Sequence, residues 1–282
     1  DAAHVVGSGF GVTSARRGIA VRLGGHRITR WAGGQFFFVD LDDGSPALDR
    51  PFGDALPGRR IPAVPLASAA MRTHGAELVV DPPAVGRVFR TSRPVRFGDT
   101  SPRGRVRLDA LARYHQDIAA DDTADAGIDD PHPWVVRRAV VEVHVPAVGG
   151  EVLDLGTWCS GTGSHWAERR VSIRGRRGGH VESVSLWVHV DAATARPAAL
   201  AAAFDEVYAP AAGGRRVTAR LQHDPAVPDD VERSPWGLRF VDFDVLGHVN
   251  NAGAWAIVEE VLAQVDDGPS WPRRVEVEFR EP

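Results

Sequence analysis

Two residues that could do chemistry together, Asp244 and His248, stand four positions apart in the run Phe240-Val241-Asp242-Phe243-Asp244-Val245-Leu246-Gly247-His248-Val249-Asn250-Asn251. A carboxylate can attack a carbonyl carbon or deprotonate a water, and an imidazole can orient that water, relay a proton or position the carboxylate. Gly247 permits a tight turn and a close backbone approach. The amides of Gly247 and His248 are the oxyanion candidates, and one such donor typically contributes about 3 kcal/mol to a transition state. Asn250 and Asn251 are expected to brace the loop through side-chain-to-backbone bonds. Each residue also has a plainer reading: aspartate often caps a helix, the histidine can donate a structural bond, and the glycine can be turn geometry alone. As a set, a carboxylate, an imidazole and free amides point to hydrolysis of an acyl group.

The elements that must position these groups follow from periodicity. Leu238 and Phe240 alternate before the loop, and Ala254, Ile257, Val258, Val261 and Leu262 after it recur at helical spacing. The expectation is strand, tight turn, helix, with the reactive pair beside the first helical N–H groups, which lack partners and carry partial positive charge. Upstream, Val88–Phe97 reads as a strand and Arg107–Asp122 as an amphipathic helix. Strand-like runs follow at Trp134–Val145, Glu151–Ser160, His165–Arg174 and Val181–Val190, punctuated by glycine-rich turns. This is an α+β layout, with one helix against a curved antiparallel sheet.

The layout repeats. Arg96-Phe97-x-Asp99 and Gly104-x-Val106 recur as Arg239-Phe240-x-Asp242 and Gly247-x-Val249, offset throughout by 143 positions. Asp244 then falls on Ser101 and His248 on Arg105, so the first copy lacks both reactive groups, and Asp242, which recurs as Asp99, reads as structural. The expected organisation is a weakly patterned stretch over 1–85, a non-catalytic unit over 86–192, a connector over 193–235 and the start of a catalytic unit over 236–282. By the same offset the second unit would run to about position 333, some 50 residues beyond Pro282. The chain opens on Asp1 rather than Met, and both ends read as cut. In the first stretch Gln35–Val39 is a candidate strand, and Gly7–Gly11 lacks the preceding strand and spacing of a phosphate loop.

Asp-x-Asp-x-x-Gly-His-Val-Asn-Asn before a helix resembles the acyl-ACP thioesterases of the hotdog superfamily, most closely their actinobacterial members, and its Asp-x-x-Gly part is similar to the 4-hydroxybenzoyl-CoA thioesterase branch. Gly156-Thr157-Trp158-Cys159-Ser160-Gly161-Thr162-Gly163 and Ala167-Glu168-Arg169-Arg170 add to the resemblance, which covers about Gly86 to Pro282. It implies tandem hotdog units, the second incomplete, and hydrolysis of a fatty acyl-ACP thioester by Asp244 with His248 as its partner. Acyl-CoA or aryl-CoA hydrolysis and non-catalytic acyl binding are the alternatives. Plant members carry an Asn two positions after the aspartate, where this chain has Leu246, and a Glu-Cys pair on the next strand, which by spacing falls on Glu281-Pro282. Glu281 is thereby a candidate second carboxylate, with no cysteine beside it.

The composition fits these expectations. The 282 residues are 43% hydrophobic and 25% charged, with net charge −4 and pI near 6.3, which argues against an electrostatic nucleic-acid binder. Every basic residue other than histidine is arginine. No apolar run approaches the roughly 20 residues of a membrane span, and no signal-peptide pattern opens the chain. The single Cys159 precludes an internal disulfide and fits a reducing compartment, so a cytoplasmic location is expected. The histidines show no metal-ligand spacing, and neither a metal nor a cofactor is expected. Trp134, Trp158, Trp166 and Trp187 are expected in the core or lining a tunnel. Acyl carrier protein is the expected partner, met by arginine pairs such as Arg137-Arg138 or Arg169-Arg170, and a homodimer is a further expectation.

Overall fold

The computed structural model describes residues 19–23, 26–31, 39–42, 81–223, 233–245, 247–265 and 273–280. Three short strands come first: β1 (Ile19–Leu23), β2 (His26–Trp31) and β3 (Val39–Asp42). Then follow β4 (Phe89–Pro94), helix α1 (Leu108–Ala126) and four long strands. These are β5 (Trp134–Val145), β6 (Val152–Thr162), β7 (Trp166–Gly175) and β8 (His180–His189). Helix α2 (Ala202–Ala212), the short β9 (Arg233–Pro235), helix α3 (Asn251–Val265) and β10 (Arg273–Glu278) complete the order.

Leu108, Leu111 and Ile118 are fully buried along one side of α1, where each contributes on the order of 2 kcal/mol by leaving water. They pack on Leu153 and Leu155 of β6 and on Val171 and Ile173 of β7. The helix ends at Gly127, whose φ of +63° is the left-handed conformation that glycine adopts without a Cβ penalty. In space the strands of this unit run β4-β6-β7-β8-β5, all antiparallel, wrapped on α1. That is the expected hotdog arrangement.

Strand β5 has a second neighbour. β10 pairs with it antiparallel, Val275 opposite Val141 and Glu278 opposite Arg138, so the sheet continues into the second copy of the pattern. Helix α3 lies beside α1, and Trp255, Ile257, Val258 and Val261 share one hydrophobic core with Leu111, Ile118, Val275 and Val277.

The sequence expectations differ from the fold in three places. Part of 1–85 is ordered into strands: β3 pairs with the free edge of β10, and β2 pairs with β9 in parallel. Of the expected strand Gln35–Val39, residues 35–38 lie outside the described residues. Phe240 is not in a strand, because the chain forms a 3-10 turn over Phe240–Asp242 and leaves the Phe240 ring exposed. The arginine pairs expected to face a partner are bonded within the chain, Arg137 to the carbonyls of Phe279 and Arg280. Arg138 and Arg170 are buried, Arg170 pairs with Glu168, and Arg169 pairs with Asp122. Long polar side chains on β-strands gave the same surface-like signal that solvated arginines give.

His115 on α1 faces the sheet, where the Ser183 hydroxyl contacts its Nε2 at 3.0 Å. Burial pushes its pKa down to about 4, so it is neutral in the folded protein. Unfolded, it takes up a proton near pH 6.5. Stability present above that pH is therefore lost as pH falls from 6.5 toward 4, by up to about 1.4 kcal/mol per pH unit. Urea denaturation of the wild type and of His115→Gln at pH 7 and pH 5 should show a smaller acid loss in the variant.

Candidate active site

The loop before α3 repeats the turn-forming hydrogen bonds of the loop before α1. In the first copy Arg96 N–H donates to the Asp99 carboxylate at 3.2 Å, Ser101 N–H to Arg105 C=O at 2.8 Å, Gly104 N–H to Ser101 C=O at 2.9 Å, and Arg107 N–H to Asp99 C=O at 3.0 Å. In the second copy Arg239 N–H donates to the Asp242 carboxylate at 2.7 Å, Asp244 N–H to His248 C=O at 2.9 Å, Gly247 N–H to Asp244 C=O at 3.0 Å, and Asn250 N–H to Asp242 C=O at 2.8 Å. Gly104 and Gly247 share the left-handed conformation, with φ of +79° and +77°. Asp242 is buried, and its contact with Arg239 holds its carboxyl below the usual range. These two aspartates shape the turn.

The turn brings Asp244 and His248 together. His248 N–H donates to Asp244 Oδ1 at 3.2 Å, and both residues are half-buried. The two amides proposed from sequence as oxyanion donors are thus engaged within the loop, Gly247's on Asp244 C=O and His248's on the Asp244 carboxylate. Gly247 closes the turn. Asn250 places its Oδ1 2.9 Å from Ala252 N–H, the geometry of a helix cap, and Asn251 is the first residue of α3. Asn250→Ala should cost about 1 kcal/mol of stability in a urea titration. Leu246 and Glu281 lie outside the described residues.

The two copies differ in what faces the loop. In the first, Arg105 is held by Glu259 of α3 through bonds of 2.6 and 3.2 Å, and the same carboxylate accepts Leu108 N–H at 3.1 Å. Arg107, before α1, supplies no side-chain cap, so a glutamate from the other half caps that helix. Sequence reasoning missed this pairing because its members are 154 residues apart.

A cavity of about 570 Å³ runs along α1. Gln116, Ala119, Ala120, Thr123 and Ala124 line one side, a run of about 12 Å at helical rise. Trp134, Ala167 and Trp187 of the sheet form the other side, and Phe204 and Tyr208 of α2 close it. Cys159 is buried in this wall, which pushes its thiol pKa up to about 11 and away from nucleophilic use at neutral pH. Trp158 is in the core.

His223, Glu276 and Glu278 place potential ligand atoms within 4.8 Å of one another. Glu278 accepts from the Gln222 and His223 amides and from Arg280, and Arg138 lies 3.7 Å from Glu276. The arginines oppose a cation, and the cluster ties the chain before β9 to β10. Among the described residues no helix is long and apolar enough to cross a membrane.

The comparisons with known proteins agree with this architecture. The family model for the acyl-ACP thioesterase N-terminal domain matches residues 86–210. Uncharacterised Mycobacterium tuberculosis proteins, Rv2001 of strain H37Rv and MT2057 of strain CDC 1551, are each 31% identical over 208 residues, covering 72% of this chain and 81% of theirs. The 12:0-ACP thioesterase from Umbellularia californica superimposes with a TM-score of 0.51 at 18% identity over 68% of this chain and 94% of its own, which is a likeness of fold. With a matched family domain and relatives of this similarity, a tandem hotdog chain with this loop belongs to the acyl-ACP thioesterase family, whose chemistry is thioester hydrolysis.

Proposed function

We propose that this protein hydrolyses fatty acyl-ACP thioesters to the free fatty acid and the carrier thiol. The observation that carries the reading is the cavity along α1, within the ~300–1,000 Å³ typical of small-molecule sites and walled mainly by alanine and aromatic side chains. A fatty acyl chain fits such a slot between helix and sheet, and water is the second substrate. Asp244 either attacks the thioester carbonyl, expelling the thiolate and leaving an anhydride that water cleaves, or deprotonates the water that attacks. His248 relays the proton that the leaving thiolate takes up. Bulk at the far wall sets chain length in this reading. Ala167→Leu should lower kcat/KM for the longest acyl chain hydrolysed by about tenfold, relative to a chain four carbons shorter, through lost contact and overpacking. Equal kcat/KM ratios in the two proteins would place the acyl chain elsewhere. A carrier-free reading, acyl-CoA hydrolysis, predicts equal rates on the CoA and ACP thioesters of one acyl chain.

A further inference from the structure

We propose that the loop before α1, in the unit without the reactive pair, is the docking surface for the acidic carrier protein that presents the thioester. The proposal rests on the hydrolytic reading given above, and it adds where the partner is met. Three arginines outside the pairs expected from sequence supply the charge. Arg96, Arg103 and Arg177 are exposed, and among the described residues none lies within ion-pair distance of a carboxylate. They stand on loops that meet at one end of the sheet. Gly149 N–H donates to Gly104 C=O at 3.0 Å and Gly150 N–H to Val95 C=O at 3.1 Å, which ties the turn after β5 to the loop. Arg177, in the turn after β7, donates to the carbonyls of Gly149 and Gly150 at 3.2 and 3.4 Å. The same loops turn apolar side chains to water, with Phe97 96% exposed and Val148 38%. Exposed apolar groups rimmed by arginine are the composition of a protein interface.

The internal repeat shows what leaves Arg96 to solvent. At the offset of 143 positions Arg96 corresponds to Arg239 and Asp99 to Asp242. In the second loop Asp242 pairs with Arg239 at 2.7 Å. In the first, α1 draws Asp99 away, through the Tyr114 hydroxyl at 2.7 Å and the Arg113 guanidinium at 3.3 Å. The corresponding residues of α3 are Ala256 and Ile257, whose side chains donate nothing. The unit that lacks the reactive pair thus has the donors that release a surface arginine. The other carboxylates around this end are committed: Asp117 to Arg93, Asp154 to Ser92 and Arg176, Glu259 to Arg105, and buried Glu151 to the amides of Val148, Arg177 and Gly179. The whole chain carries a net charge of −4, so an acidic protein is repelled overall and needs a positive face such as this one to approach. The face and the catalytic loop flank one helix. Arg105 of this loop binds Glu259, eight residues beyond Asn251 on α3, which is about 12 Å at helical rise. The pantetheine arm of a docked carrier is long enough to run beside that stretch to Asp244.

Binding of holo acyl carrier protein, which has no thioester to hydrolyse, tests this separately from turnover. Two exposed side chains are changed, with thermal unfolding as the check on folding. Phe97→Ser and Arg103→Glu should each weaken binding by about tenfold in a fluorescence anisotropy titration, and Arg103→Lys should bind like the wild type. Added salt should weaken binding to the wild type more than to Arg103→Glu. In hydrolysis of the acyl carrier thioester, KM should rise by the same factor in Phe97→Ser and Arg103→Glu while kcat stays within about twofold. Unchanged affinity of both variants for the holo carrier would overturn the proposal. So would a wild-type dimer in sedimentation that Phe97→Ser splits, because a second copy would then cover the face. If the wild type binds the holo carrier through these residues and hydrolyses no thioester, the hydrolytic reading fails and the docking surface stands.

Discussion

Asp244→Ala is expected to reduce kcat on an acyl thioester by at least two orders of magnitude while KM stays near that of the wild type. The expectation follows from the place of this carboxylate. The turn donates Asp244 N–H to His248 C=O and brings His248 N–H back to Oδ1, so the carboxylate is held by its own loop against the His248 backbone. A positioned nucleophile or base of this kind accounts for roughly 10²- to 10⁴-fold in rate. The competing role is structural. A carboxylate that only braces the loop would cost on the order of 1 kcal/mol of stability when removed and leave kcat within a few-fold. Kinetics and urea unfolding on the one variant separate the two, since a large rate loss with small destabilisation supports the chemical role and the reverse supports the brace.

The largest effect on stability is expected at Asp122. Its side chain is fully buried, and its two oxygens accept from Arg87 Nε and from an Arg169 guanidinium N–H, both at 2.6 Å. Its backbone carbonyl accepts from Arg87 and from the Tyr208 hydroxyl, so one residue of α1 joins the segment before β4, strand β7 and helix α2. Asp122→Ala leaves the guanidinium of Arg169 in a poorly hydrated position and should cost about 3 kcal/mol. Because Arg169 and Tyr208 also line the cavity, KM should rise with it. Asp122→Leu combined with Arg169→Met removes one carboxylate and one guanidinium, leaves Arg87 its Asp125 partner, and should recover much of the loss, as apolar replacements of buried pairs commonly do. An unchanged urea midpoint in Asp122→Ala would show that water reaches Arg169 and that the pair contributes little.

How much of this was legible in the sequence depends on the range over which each signal acts. The long strands and both main helices were legible, because alternation and 3.6-residue spacing are local: Trp134–Val145 is β5 at both ends, and Ala254, Ile257, Val258, Val261 and Leu262, read at helical spacing, all lie in α3. The tandem arrangement was legible because the offset of 143 is written into the turn residues themselves. The 3-10 turn at Phe240 was misread as the end of a strand, since an exposed aromatic after alternating residues carries no mark of its exposure. Pairings across the halves left no local trace. Glu259 on Arg105 and the strands before residue 43 on β9 and β10 arise only when distant segments meet. The inward arginines were hidden for the same reason, as their partners Asp122 and Glu276 lie far along the chain from Arg169 and Arg138. Of the site, the loop was legible and the cavity was not, because its walls come from α1, the sheet and α2, which meet only in the fold.

The most direct measurement is steady-state hydrolysis by the full-length protein of one fatty acyl chain presented on acyl carrier protein and on coenzyme A, following release of free thiol. The account predicts turnover of both that depends on Asp244, with kcat/KM higher on the carrier protein by about tenfold or more. Acyl chains that bind in the cavity while thiol release stays at the uncatalysed rate on both carriers would contradict it, and would make this a chain that has kept the fold and lost the reaction.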